Sequence, residues 1–267
     1  MGFIKISEKA NQNLKNAFSS DNVFKENSEI LKLSNLIRHI LNDNLYVVIK
    51  NAKFVNNKIN FERLIKLFGE YYGEIEFTNI KINCNYTGCD YKYIPFHNDD
   101  AIDINHQPTY GFIKIVKNDP LLLGINYIVK AEDIYKYLKF NDKEFLKILY
   151  KHKFPMLAFG INQFTKKDKI EIYEPILYEN ENGLCIRFDL QRIKFYYKFY
   201  NKKQSFEEEQ LLYQFLNLLD KLKTKIHLFK NDIFIHNNLK TLHNRGICSF
   251  EIDDDINTRE IWVSFAR

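Results

Sequence analysis

The stretch FKNDIFIHNNLKTLHNR, residues 229–245, predicts a strand, a turn and a second strand that carries His243. The segment REIWVSF, residues 259–265, predicts a further strand that begins at Arg259. An acidic turn, Asp253–Asp255, separates the two. This arrangement gives the chain room to leave the strand of His243 and re-enter the next one, so we expect Arg259 to return close to His243.

The rest of the chain predicts helices first and short strands later. Apolar residues at helical spacing predict helices over residues 27–42 and in FERLIKLFGEYYGEI, residues 61–75, with a buried strand, LYVVI, between them. The clearest helix is SFEEEQLLYQFLNLLDKLKT, with Ser205 as its N-cap. This order predicts a mostly β fold with flanking helices, a double-stranded β-helix or jelly roll.

Length and composition limit the possible classes of protein. The chain has 267 residues, of which 45% are hydrophobic, so it can bury a full core. It contains no linker-like or repetitive stretch, which predicts a single domain over residues 1–267, with a helical lead-in over about 1–44 and a lid-like insertion over about 155–205. The absence of a signal-like N-terminus and of a long apolar run predicts a cytoplasmic protein without a membrane span.

Charge does not favour a nucleic-acid partner. The net charge is +5, and the basic residues are dispersed along the chain. A nucleic-acid-binding protein is expected to gather them into a stripe on one element. A mildly basic enzyme that attracts small anionic molecules is the better interpretation.

Four residues point to a metal centre: His97 and Asp99 in YIPFHNDD, His243 and Arg259. Two histidines and one carboxylate can hold one face of a non-haem iron(II) ion and leave the opposite positions open. The planar fork of an arginine suits a bidentate grip on the carboxylate of a co-substrate. The His-x-Asp pair alone is weak evidence for a metal site. With 7 histidines and 34 acidic residues in the chain, about one histidine followed two positions later by an acidic residue is expected from composition.

Each of these residues also has a structural interpretation. His97 and Asp99 taken singly are typical of loop residues, and His243 of a core histidine. Arg259 could be a cross-strand partner of the Asp253–Asp255 turn. The remaining histidines are interpreted as structural: His39, His106, His152, His227 and His236.

Six blocks in order resemble the iron(II)/2-oxoglutarate-dependent dioxygenases of the taurine dioxygenase and clavaminate synthase group. The blocks span roughly residues 45–267 and are LYVVIKNAKF, FERLIKLFGEYYGEI, IPFHNDD, PTYGFIKIVKNDPLLLGIN, FKNDIFIHNNLKTLHNR and REIWVSFAR. The resemblance implies an enzyme that uses iron(II), 2-oxoglutarate and O2. It would couple release of succinate and CO2 to hydroxylation of a small molecule, with desaturation or isonitrile formation as variants.

The resemblance also implies a role for individual residues. His97, Asp99 and His243 would bind the iron, and Arg259 would pair with the distal carboxylate of 2-oxoglutarate. Asn126 stands where the family often has a threonine that also touches the co-substrate. A carboxylate at position 99, where related halogenases have glycine or alanine, favours hydroxylation or desaturation over halogenation.

The chain departs from the family pattern at several positions. Asn126 replaces the threonine, and Asn231 and Asn244 replace glycines. Val263 stands in place of a second arginine, whose role either passes to Arg267 or is absent. An amide at position 126 can still donate a hydrogen bond.

Candidate substrate contacts are Asp100, Arg187 and Asp189. Asp100 follows the metal-binding carboxylate and could face an ammonium, whereas Arg187 and Asp189 could bind a carboxylate and an amine. Each could equally be a solvated or salt-bridged surface residue. They suggest an amino acid or a derivative as partner, then a sulfonate or another small acid.

Two alternatives from other classes stay open. One is a binding protein that keeps the jelly roll and has lost catalysis, and the other is an oxygenase that acts on a nucleic acid or a protein side chain. The sequence leaves the substrate and the oligomeric state undetermined.

Overall fold

The computed structural model describes residues 2–19, 26–81, 87–160, 168–252 and 256–267. Its helices lie outside a pair of facing sheets and are α1 (Glu8–Ser19), α2 (Ser28–Asn44), α3 (Lys58–Ile65), α4 (Ala131–Asn141), α5 (Lys143–Lys151), α6 (Leu190–Phe199) and α7 (Phe206–Leu222).

The strands form two main sheets and three hairpin-like pairs. The larger sheet has the order β1 (Phe3–Lys5), β2 (Tyr46–Lys50), β12 (Ile233–Asn237), β5 (Tyr110–Lys117), β16 (Glu260–Ala266), β3 (Tyr71–Asn79). The smaller sheet has the order β11 (Thr224–Ile226), β6 (Asn126–Lys130), β13 (Thr241–Arg245), β4 (Ile94–His97). The pairs are β7 (Phe154–Phe159) with β8 (Lys169–Glu174), β9 (Leu177–Asn180) with β10 (Gly183–Ile186), and β14 (Phe250–Ile252) with β15 (Ile256–Thr258).

An apolar cluster fills the space between the two main sheets. We call it the inter-sheet cluster, and its buried members are Tyr46, Val48, Ile113, Ile115, Ile128, Ile226 and Phe234. Alternate residues of β2, Val47 and Ile49, instead pack with the helices on the outer face of the larger sheet. Because β2 is covered on both faces, its sequence is a continuous apolar run rather than an alternating one.

A further core covers the outer face of the smaller sheet. Val129 of β6 and Leu242 of β13 pack there with residues of α4, α5 and α7. The N-cap of α7 is Ser205, whose hydroxyl accepts a hydrogen bond from the backbone N–H of Glu208, as the sequence predicts. The smaller sheet is therefore also sandwiched between apolar layers.

Two predictions are corrected by the structure. Helices and strands hold comparable shares of the chain, so the fold is mixed α/β rather than mostly β. The helix predicted over residues 61–75 ends at Ile65, and the residues from Tyr71 onward pair with β16 instead. The backbone comes too close at Gly69 for any larger residue, since a Cβ there would lie 2.4 Å from the carbonyl oxygen of Arg267.

The structure does not test the predictions about domain organisation. The single domain over 1–267, the lead-in over about 1–44 and the lid over about 155–205 stay predictions, and residues 161–167 of that lid lie outside the described residues. No helix in the described part of the chain is long and apolar enough to cross a membrane. Cys89 is disulfide-bonded, and the cytoplasmic location stays a prediction.

Lys114 is a buried cation on the outer face of β5. Its residue is only 3% exposed, and its Nζ lies 5.9 Å from the ring centre of Trp262. Within the described ranges, this Nζ has no hydrogen-bond partner. Burial lowers the pKa of Lys114 to about 8, although the charge of Asp232 opposes that shift. The charged form of Lys114 therefore destabilises the fold.

We expect Lys114→Met to raise the free energy of unfolding at pH 7 by about 2 kcal/mol. Between about pH 8 and the ordinary lysine value of 10.5, the unfolded wild type binds more protons than the folded form, so its stability rises with pH. The variant should lack this rise. Urea unfolding at pH 7 and at pH 10 measures both effects.

Lys117→Met, on the exposed end of the same strand, is the matched control and should change neither quantity. An unchanged or lower stability of Lys114→Met at pH 7 would contradict the destabilising role of the buried charge.

Candidate metal centre

The strands β4 and β13 lie side by side and bring His97 directly opposite His243. Opposed residues of an antiparallel pair project from the same face, and the centres of the two imidazole rings are 4.4 Å apart. The Asp99 carboxylate lies 3.8 Å from His97 Nε2 and 3.7 Å from His243 Nε2. The ligand atoms of the three residues all lie within 4.8 Å of one another, so the structure brings together the set predicted from sequence.

The His97 ring is oriented by its own backbone. Its Nδ1 lies 2.8 Å from the carbonyl oxygen of Pro95, which can only accept a hydrogen bond. The proton therefore sits on Nδ1, and Nε2 presents a lone pair toward Asp99. A histidine whose outer nitrogen donates to a carbonyl is the usual arrangement for a metal ligand.

The site is electrostatically suited to a cation. Burial raises the pKa of Asp99 to about 7; His97 opposes that rise, whereas the nearby acids Asp100, Glu76 and Asp189 add to it. Burial also lowers the pKa of His243 well below its ordinary value. Neutral imidazoles and a carboxylate that lacks a compensating charge are what a divalent transition metal requires, so the residues fit iron(II).

Two buried asparagine amides fix the loop that carries Asp99. Asn98 Nδ2 donates to the backbone oxygens of Asn238, at 2.6 Å, and Thr241, at 2.8 Å, and its Oδ1 accepts from the N–H of Phe188 at 2.9 Å. Asn238 Oδ1 accepts from the N–H of Asp99 at 2.9 Å, and its Nδ2 donates to the Asp99 carbonyl at 2.9 Å. The turn before His243 thus positions Asp99.

A third histidine, His236, lies beside the triad. The sequence predicts a structural role for it. It is fully buried, its ring centre lies 4.6 Å from that of His243, and its Nε2 lies 4.0 Å from Asp99 Oδ2. Burial lowers the pKa of His236 to about 3, so the ring is neutral. The strand period could have found it, because His236 lies two residues after Phe234 and shares its inward face.

Gly111 makes room for His236 on the neighbouring strand. The two residues are paired in register, and a Cβ on Gly111 would lie 2.4 Å from His236 Nε2. Only glycine at position 111 therefore leaves room for the imidazole of His236 beside Asp99.

Arg259 lies in a separate cavity of about 290 Å³. The described residues lining that cavity include Ile115, Gly124 and Leu228 but no member of the triad. The Arg259 side chain is buried, and its Nη1 has no hydrogen-bond partner among the residues that the structure describes. Burial lowers the pKa of Arg259, partly offset by the Cys248 thiol. The acidic turn predicted before this arginine lies outside the described residues.

The strand β6 connects the two places. Its Ile128 is opposite His243, whereas the preceding Gly124 contacts Arg259, with a Cβ there 3.3 Å from Arg259 Cδ. Four residues of extended chain span at most about 14 Å. Asn126 is buried, lies two residues from Ile128 and so projects to the same side between the two places.

The candidate substrate contacts lie on the same side as His97. Two of them, Asp189 and Asp100, already accept hydrogen bonds from other groups of the protein. Asp189 forms a bridge opposite His97, and its Oδ1 caps α6 by accepting from the backbone N–H groups of Gln191 and Arg192. The Asp100 carboxylate accepts a hydrogen bond from the hydroxyl of Tyr72 at 2.8 Å. Asp189 thus has the structural role that its sequence position between a strand and a helix allows.

We expect Asn98→Ala to lower the free energy of unfolding by about 3 kcal/mol, because buried backbone groups lose their partners. It should also weaken divalent-metal binding, since the loop of Asp99 is no longer held. Chemical unfolding and isothermal titration with iron(II) under argon measure the two effects. The exposed Asn105→Ala is the control, and full metal affinity in Asn98→Ala would contradict the positioning role.

We expect Gly111→Ala to weaken metal binding at least tenfold, because the new methyl group displaces His236 toward Asp99 and His243. The double variant Gly111→Ala/His236→Ala removes the clash and should recover part of the affinity. The same titration measures both. Equal losses in the single and double variants would show that Gly111 acts through something other than His236.

No protein-family model and no curated protein matches the sequence. Solved structures do match along its whole length. Asparagine oxygenase in complex with Fe(II), 2S,3S-3-hydroxyasparagine and succinate has a TM-score of 0.74 at 11% identity, covering 100% of this chain and 93% of that chain. The non-heme iron oxygenase OrfP in complex with Fe, succinate and (3S)-hydroxy-L-Arg has a TM-score of 0.67 at 12% identity, covering 100% and 94%. Along its full length, this chain therefore has the fold of these non-heme iron oxygenases, as the resemblance of its sequence blocks predicts.

Proposed function

We propose that the chain is an iron(II)/2-oxoglutarate-dependent oxygenase that hydroxylates a small amino-acid-like molecule. The observation that carries the proposal is the meeting of His97, Asp99 and His243, whose ligand atoms lie within 4.8 Å of one another. Two imidazoles and one carboxylate suit non-haem iron(II) and leave positions open for other ligands. The two facing sheets would form the double-stranded β-helix that holds them.

The co-substrate would extend from the metal toward Arg259. The Arg259 guanidinium is buried and has an unsatisfied Nη1, so a carboxylate would complete its hydrogen bonds. Asn126 lies between the two ends and could donate its amide.

The residues of the chain would bind and orient the substrate and the co-substrate and shield them from water. The bound iron and 2-oxoglutarate would, with O2, supply the oxidation and release succinate and CO2. The inter-sheet cluster places apolar side chains beside both places, since Ile128 is opposite His243 and Ile115 lines the cavity of Arg259, and apolar neighbours exclude water. The carboxylate of Asp99 completes the set of three ligands. This favours hydroxylation or desaturation over halogenation.

The substrate class has support from the structures that share the fold. Asparagine oxygenase was solved with a hydroxylated asparagine, and OrfP with L-Arg and its hydroxylated forms. A free amino acid or a derivative is therefore the first substrate to test. The candidate contacts for it are Asp100, Arg187 and Asp189.

Anaerobic titration with iron(II) and 2-oxoglutarate tests the proposal. We expect a weak visible charge-transfer band in the wild type and none in His97→Ala, because the metal loses a ligand. Arg259→Gln should need at least tenfold more 2-oxoglutarate to develop the band, which corresponds to about 1.4 kcal/mol. The exposed His39→Ala is the control and should behave as the wild type.

A folded wild type without the band would sink the enzyme proposal. It would leave the catalytically inactive binding protein as the better interpretation.

A further inference from the structure

Arg187 is a buried cation whose charge has no acidic partner among the described residues. Its residue is 6% exposed, and its Nε has no hydrogen-bond partner in the described part of the chain. Its guanidinium carbon lies 4.5 Å from the ring centre of Tyr178, which covers one face of the fork. Burying a charge without a partner costs free energy. An anionic ligand bound to the buried guanidinium of Arg187 would offset that cost.

The backbone places Arg187 on the side of the metal centre. Asp189 is bridged to His97, and opposed residues of such a bridge project to the same side. The flanking Ile186 and Phe188 are buried in the apolar core behind the smaller sheet, so Arg187 projects away from that core, as Asp189 does.

The other two candidate contacts are already engaged, as described above. Asp189 caps α6, and Asp100 accepts from Tyr72. Asp100 nevertheless follows Asp99 directly in the chain, and Asp189 is opposite His97, so both carboxylates lie beside the triad. The ammonium of an amino acid would be attracted there.

We propose that Arg187 binds the carboxylate of the substrate and that this substrate is an α-amino acid, oriented with its ammonium toward the acidic side of the site. The planar guanidinium can hold a carboxylate with two parallel hydrogen bonds from its open edge. The proposal rests on the proposed function, because the metal and co-substrate must be present for the oriented molecule to react.

The test uses the wild type loaded anaerobically with iron(II) and 2-oxoglutarate. The standard protein amino acids are added one at a time, followed by the amine that each gives on loss of its carboxylate. We expect at least one amino acid to shift the visible band and its amine to leave the band unshifted. The amino acid that shifts it is then titrated to obtain its Kd.

Arg187→Gln should weaken that Kd at least tenfold and leave the band of iron and 2-oxoglutarate unchanged. Arg187→Lys keeps the charge without the fork and should lie between the two. Arg192→Gln is the matched control: it removes a neighbouring positive charge that is paired with Asp189 at 3.6 Å, and it should bind the amino acid as the wild type does.

The outcomes separate the two proposals. Absence of the band in the wild type overturns the proposed function itself. A normal band that no amino acid shifts overturns the substrate class. A Kd that is unchanged in both Arg187 variants, or an amine that binds as tightly as its amino acid, overturns the role of Arg187 while the oxygenase proposal stands.

Discussion

The metal centre depends on two buried amides that join the loop of Asp99 to the turn before His243. Asn98 and Asn238 each satisfy backbone groups on the opposite segment, so the two segments hold each other. Main-chain pairing of β4 with β13 places the two imidazoles, but it does not reach Asp99, which lies two residues after the end of β4. Side-chain amides therefore position the third candidate ligand, as the strand ladder positions the first two.

One apolar cluster borders both polar places. Ile128 of the inter-sheet cluster is opposite His243, and Ile115 of the same cluster lines the cavity of Arg259. Apolar neighbours strengthen polar contacts because they keep water, and hence dielectric screening, away from them.

Sequence reasoning assembled the triad from the order of six blocks that resemble a known family, because the His-x-Asp pair alone is expected about once by composition. It gave His236 a structural role, and a histidine on an apolar strand gives no sign that it lies against the triad until its neighbours are known. It extended the helix of residues 61–75 too far, because the pairing of Tyr71 onward with β16 is non-local and overrides local helical spacing. It left Asp189 open between a substrate contact and a salt-bridged residue, and the structure adds that this carboxylate caps α6.

Four cations are buried in the part of the chain that the structure describes, and their surroundings explain them differently. Arg245 donates to the backbone oxygens of Gly88, Asp90 and Lys92 and so stabilises the fold without an anion. Lys114, Arg187 and Arg259 each keep an unsatisfied nitrogen. Lys114 points away from the inter-sheet space, where no ligand is proposed, and the ring of Trp262 and the charge of Asp232 offset part of its cost. Arg187 lies on the side of His97 and Arg259 lines a cavity of its own, and an anionic group is proposed on each. Natural proteins retain such local violations mainly at functional sites. The unsatisfied nitrogens of Arg187 and Arg259 therefore support the two proposed carboxylate contacts.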